Sequence, residues 1–154
     1  MAQNCTILCP RDEPERLIES VKRLVDGRGE LEIGGTPCDW NSITLRSLGS
    51  SLVLNRRVHR HNGDDFSRMM LGLLNYFREV TTPHEETKER VLRGLDDVSL
   101  AIGVVAEPSF DEEAGHFELI FGLAEEFDAM TWNGSGVLDP TGSLILDGDG
   151  ESEL

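Results

Sequence analysis

The chain has 154 residues, 38% of them hydrophobic and 28% charged, a composition that supports one folded domain and argues against a disordered chain. With 29 Asp and Glu against 14 Lys and Arg the net charge is −15, which argues against nucleic acid and anionic membranes as partners. No apolar run approaches the ~20 residues of a membrane span, the start Met-Ala-Gln-Asn-Cys has neither the basic nor the apolar part of a signal peptide, and three cysteines fit a reducing compartment, so a cytoplasmic location is expected.

In chain order, Cys5–Cys9 reads as a short strand ended by Pro10. On one strand Cys5 and Cys9 share a face ~13 Å apart, too far for a disulfide or a shared metal, and with Cys38 they read as small hydrophobes or inert thiols. Asp12 and Glu15 have the spacing of a capping box, with Pro14 in the first turn. Leu17, Ile18, Val21, Leu24 and Val25 then recur at helical spacing up to Gly27. Leu31 and Ile33 alternate with glutamates as a half-exposed strand, and the segment with Pro37, Cys38, Asp39 and Asn41 reads as loop. Ile43 and Leu45 face Leu52 and Leu54 across a turn at Gly49-Ser50, a hairpin whose second arm is expected to run on to His61 and to break at Asn62-Gly63.

Asp64 or Asp65 is placed to cap the next helix, whose stripe is Phe66, Met69, Met70, Leu73, Leu74 and Phe77. Thr82, Pro83 and Glu85 open another, carrying Val91 and Leu92 inward. Ser99 to Ala106 is a nearly unbroken apolar run, the mark of a strand buried on both faces. Ser109 and Glu112 form a second capping-box spacing before a helix with the stripe Phe117, Ile120, Phe121, Ala124 and Phe127. Ala129–Trp132 is then a short strand expected to run parallel beside the Ser99 strand, since a helical crossover joins parallel strands of one sheet. Asn133-Gly134 and Asp139-Pro-Thr-Gly are turns around Val137-Leu138, Ser143–Leu146 is the last strand, and residues 147–154 form an acidic tail expected to fray. This ending resembles that of bacterial α/β proteins, a resemblance that implies no activity.

The charge is unevenly placed. Residues 1–62 carry nine Lys/Arg and eight Asp/Glu, and residues 63–154 carry five and twenty-one. After Arg93 fifteen acidic residues follow with no Lys or Arg. Arg46, Arg56, Arg57 and Arg60 are the cations expected to fold over this acidic half if it is neutralised internally.

Two places carry candidate chemistry. His59 and His61, two apart on a strand, put both rings on one side ~7 Å apart, and with Asp64 they suggest a His-His-carboxylate metal site, weakened by the arginines around it. The other place is the edge where the strands ending at Glu107 and Trp132 emerge together, the side of an α/β sheet where ligands bind. Glu107, Ser109, Asp111, Glu112, Trp132 and Asn133 are the candidate binding residues there, and their charge favours a cation or a basic protein over an anion. The chain lacks Gly-x-Ser-x-Gly and a phosphate-binding Gly loop, and Asp147-x-Asp149-x-Glu151 lacks the Gly and the Glu of a calcium loop.

The expected fold is α/β (α+β), a two-layer sandwich with a mixed sheet of six to eight strands and four helices over residues 1–146. The expected function is a non-enzymatic binding or regulatory protein, of the toxin-neutralising kind, that uses its acidic C-terminal half against a basic protein and needs no cofactor. The alternative is a small hydrolase or metal-dependent enzyme at His59/His61/Asp64 or at the Glu107/Trp132 edge.

Overall fold

The computed structural model describes residues 2–154. Its elements in chain order are β1 (Gln3–Cys9), α1 (Pro14–Val25), β2 (Glu30–Thr36), β3 (Asp39–Ser47), β4 (Ser50–Arg57), α2 (His59–Arg78), α3 (Glu85–Asp96), β5 (Leu100–Glu107), α4 (His116–Glu126), β6 (Met130–Trp132), β7 (Gly136–Leu138) and β8 (Leu144–Asp147). The α/β fold with four helices on one sheet is the expected one. The eight strands lie in the order β2-β3-β4-β5-β1-β6-β7-β8. The sheet expected as mixed is antiparallel at each of its ladders.

That order corrects one neighbour relation. β5 and β6 run the same way, as the helical crossover requires, but β1 lies between them and is antiparallel to both. The α4 crossover therefore skips one position, and the N-terminal strand fills it. Ile7 opposes Ile102 on one side and Thr131 on the other.

Alternation along β1 and β5 divides the interior into two cores. Ile7, Cys9, Leu100, Ile102 and Val104 pack with α1 and α4, whereas Leu8 and Ala101 pack with α2 and α3. Each helix pair thus makes a two-layer sandwich with its own face of the sheet. The start of α1 is tied to the sheet, because the fully buried Trp40 of β3 donates its indole N–H to Pro14 O at 2.9 Å. This also explains why the segment expected to be loop is strand: Trp40 needs a buried, paired position, and Asp39 to Asn41 extend β3 to supply it.

Local signals were mostly met, with several displacements. α2 opens at His59 behind Val58, so neither Asp64 nor Asp65 caps it. α3 opens at Glu85 behind His84 rather than at Thr82 and Pro83, the Thr82 hydroxyl accepting the His84 N–H at 3.0 Å. Asp12 does not cap α1, since its carboxylate is taken by Arg56. The second hairpin arm stops at Arg57, and His59 and His61 open α2, with Asn62 Oδ1 accepting the Val58 N–H at 3.0 Å. The expected break at Gly63 is a kink inside that helix, at φ 46°, ψ −117°. Ser109 and Glu112 do not cap α4; the helix starts at His116 behind a turn in which Asp111 Oδ1 accepts the Ala114 N–H and Asp111 N donates to His116 Nδ1 at 2.9 Å.

The tail makes ordered contacts. Asp147 Oδ1 accepts the N–H groups of Asp149 and Glu151, Glu153 N donates to Leu144 O, and the buried Thr82 hydroxyl donates to Gly150 O at 2.7 Å. Among the described residues, no helix is long and apolar enough to cross a membrane.

Candidate functional site

At the cation-rich end of β4 the two histidines have separate surroundings. His61 Nε2 donates to Asp39 Oδ1 at 2.8 Å, while His59 stands edge-on to Phe66 with ring centroids 6.5 Å apart. Asp64 is exposed on the far side of the Gly63 kink. The three do not form a ligand set, and among the described residues no group of three His, Cys, Asp or Glu is placed to hold a metal ion. Instead Asp39 Oδ1 gathers Arg56 Nη1 at 2.9 Å, Arg60 Nη2 at 2.7 Å and His61. His61 first, then Arg56, lower the Asp39 carboxyl from 3.8 to about 2. These arginines are therefore spent inside the N-terminal half.

The edge predicted at the ends of β5 and β6 does exist, because both strands are antiparallel to β1 and finish on its N-terminal side. Glu107, Ser109 and Glu112 are exposed on the loop that leaves β5, together with Glu113. Asp111 is half-buried and does structural work. The Ser50 hydroxyl beside it and the Ala114 N–H hold its carboxyl below the usual range. Trp132 is not part of this site. It points to the opposite face, edge-on to Tyr76 and Phe77 at 5.2 and 5.7 Å between centroids, and Tyr76 donates its hydroxyl to Ser135 O. Asn133 is exposed but uses Oδ1 to accept the N–H groups of Ser135 and Gly136 in the turn after β6.

Beneath this edge the structure holds a cavity of about 340 Å³ between α4 and the β1–β6–β7 part of the sheet. Cys5, Phe110, Phe117, Phe121, Thr131 and Asn133 are among its lining, and no lining residue is charged. Two of these aromatics are the stripe residues expected in the core. The buried face of α4 is rotated to His116, Leu119, Ile120, Leu123 and Ala124, leaving Phe117 41% exposed and Phe121 half-buried. The signal was present in the sequence: α4 is apolar on more than half its circumference, so a five-residue stripe could be drawn at more than one phase.

Nothing in the cavity is a ready nucleophile. Burial pushes the Cys5 thiol up to about 12, so it stays protonated at neutral pH. The one buried histidine, His116, is 0% exposed; burial lowers its pKa, and the Asp111 N–H occupies its Nδ1.

The acidic half has fewer partners than its composition required. Among the described residues, two of the fifteen acidic side chains after Arg93 form ion pairs: Glu118 with Arg28 at 2.6 Å, and Glu126 with Arg23. Arg16 adds a hydrogen bond to Glu126 O at 3.0 Å and lies over the Phe127 ring, so relief at the end of α4 comes from α1. Of the arginines expected to neutralise this half, Arg46 pairs with Glu32, Arg56 with Asp12 and Asp39, and Arg60 with Asp39, while Arg57 forms no ion pair among the described residues. No protein-family model matches this chain, and no curated protein or solved structure is significantly similar to it.

Proposed function

We propose that this chain is a non-enzymatic binding protein that docks a basic protein partner on its acidic C-terminal half, in the manner of a regulatory or toxin-neutralising protein. The observation that carries the reading is the pairing pattern: Arg16, Arg46, Arg56 and Arg60 pair with N-terminal carboxylates, Arg23 and Arg28 reach Glu126 and Glu118, and the other carboxylates after Arg93 form no ion pair among the described residues. Uncompensated charge of one sign costs stability through self-repulsion, and it speeds encounter with an oppositely charged surface. The exposed Glu107, Glu112 and Glu113, carried on one loop at the sheet edge, are the centre of the docking surface. A hydrolytic reading gains no support from Cys5, which stays a thiol, or from the enclosed His116.

The test is retention from an extract of the protein's own cells by immobilised wild type and by a Glu107→Gln/Glu112→Gln/Glu113→Gln variant. A basic protein, pI above ~9, should be retained by the wild type, released as salt rises, and lost from the variant while its Tm is kept. Retention of no basic protein, or equal retention by the variant, would refute the assignment.

A further inference from the structure

The cavity beside α4 lies beneath the acidic edge, takes Phe110 and Asn133 from it, and has its own chemistry. Its volume of about 340 Å³ falls within the ~300–1,000 Å³ of small-molecule sites. In a chain of net charge −15, a lining without a single charged residue stands apart from the surface around it. Phe110 and Phe117 face each other at 5.5 Å between centroids, and Phe110 is held in place by its N–H donating to Gln3 Oε1 at 2.8 Å. The 41% exposure of Phe117 is costly for a side chain with no further use, since aromatic burial is among the larger contributions to a core.

A second observation points the same way. Thr131, in the cavity wall, is 2% exposed, and its hydroxyl has no hydrogen-bond partner among the described residues. A buried hydroxyl without a partner costs the protein its desolvation, and replacement by an isosteric apolar group would remove that cost. Ligand sites keep such groups, a few polar atoms in an apolar wall that fix the orientation of what binds.

We propose that this cavity binds a neutral, largely apolar small molecule of about the bulk of a bicyclic aromatic, carrying one hydrogen-bonding group for the Thr131 side of the wall. Anions are rejected by the field of the whole chain, and cations find no carboxylate in the lining.

The probe is N-phenyl-1-naphthylamine, which is neutral, has one N–H and fluoresces in apolar surroundings; its anionic relative anilinonaphthalene sulfonate shares the skeleton. The wild-type protein should bind the neutral probe saturably with one site per chain, and the sulfonate roughly tenfold more weakly at low salt. Phe117→Ala should weaken the neutral probe about fivefold with Tm nearly unchanged, because the ring is a wall of the cavity rather than of the core. Thr131→Val should also weaken it, while Tm stays level or rises. No saturable signal, sulfonate binding as tight as that of the neutral probe, or an affinity unchanged in both variants overturns the proposal.

Discussion

Arg56 and Asp12 meet as two parallel forks: Nε donates to Oδ1 at 3.0 Å and Nη2 to Oδ2 at 2.6 Å, across 44 residues of sequence. The Arg56 side chain is 1% exposed, lies over Trp40, and sends its remaining nitrogen to Asp39 and to Trp40 O. This pair ties the loop before α1 to the centre of the sheet, and it removes the most buried cation of the chain from any role at the acidic end.

Asp12→Ala should therefore be one of the more costly surface-loop substitutions. It leaves a buried guanidinium with part of its donors unpaired, at an expected loss of about 2–3 kcal/mol. Urea unfolding would measure it, and a loss under ~0.5 kcal/mol, the usual range for surface changes, would mean the pair contributes geometry without stability.

The phase of α4 is tested by three truncations. Leu119→Ala and Leu123→Ala should each cost about 2–5 kcal/mol, since both side chains are buried against the sheet. Phe117→Ala should cost less than ~1 kcal/mol, because much of its ring is already in contact with water. Equal losses at all three positions would return Phe117 to the core.

The α4 misphasing shows what the sequence can and cannot convey. The existence of every helix and most strands was legible, because periodicity, Pro14, Gly27 and the Asp139-Pro-Thr-Gly turn are local signals. In that turn Asp139 Oδ1 accepts from Thr141 N, Thr141 Oγ1 and Ser143 N, as the motif predicts. What could not be read is whatever depends on partners far along the chain. β1 inserts between β5 and β6, Asp12 leaves its cap for Arg56, and Trp132 turns to the α2 face because β6 alternates about β1. The edge carrying Glu107, Glu112 and Asn133 was legible from strand direction alone. The cavity beneath it was not, because its walls come from β1, α4 and β6 together.

Two groups shape the acid side of the pH profile, each over its own range. The Asp39 carboxyl is lowered from 3.8 to about 2, so its contribution to stability is present above about pH 4 and is lost as pH falls toward 2. His61→Ala removes the first of its partners, so the Tm gap between wild type and variant should close over that fall. A gap that stays constant down to pH 2 would place the His61 effect elsewhere.

His116 is the other group. Its folded pKa lies below the ordinary 6.5 because burial disfavours the charged ring. The unfolded chain binds the proton first, so stability is full above pH 6.5 and falls as pH drops toward the folded value. His116→Asn keeps an acceptor for the Asp111 N–H without a titrating ring, and should flatten this part of the Tm–pH curve. An unchanged slope would show that other groups set it.

That the acidic half carries charge which the protein does not neutralise is tested most directly by the Tm of the wild-type chain from low salt to about 0.15 M, where the Debye length falls to ~8 Å. Screening of unpaired carboxylates should raise Tm steadily over this range, and Glu125→Gln/Asp128→Asn should raise Tm at low salt and reduce the further gain from added salt, because α4 has no cation of its own in its last turn. A Tm that falls over the same range would mean that attractive pairs dominate and that the acidic surface is self-compensated, contradicting the docking role assigned to it.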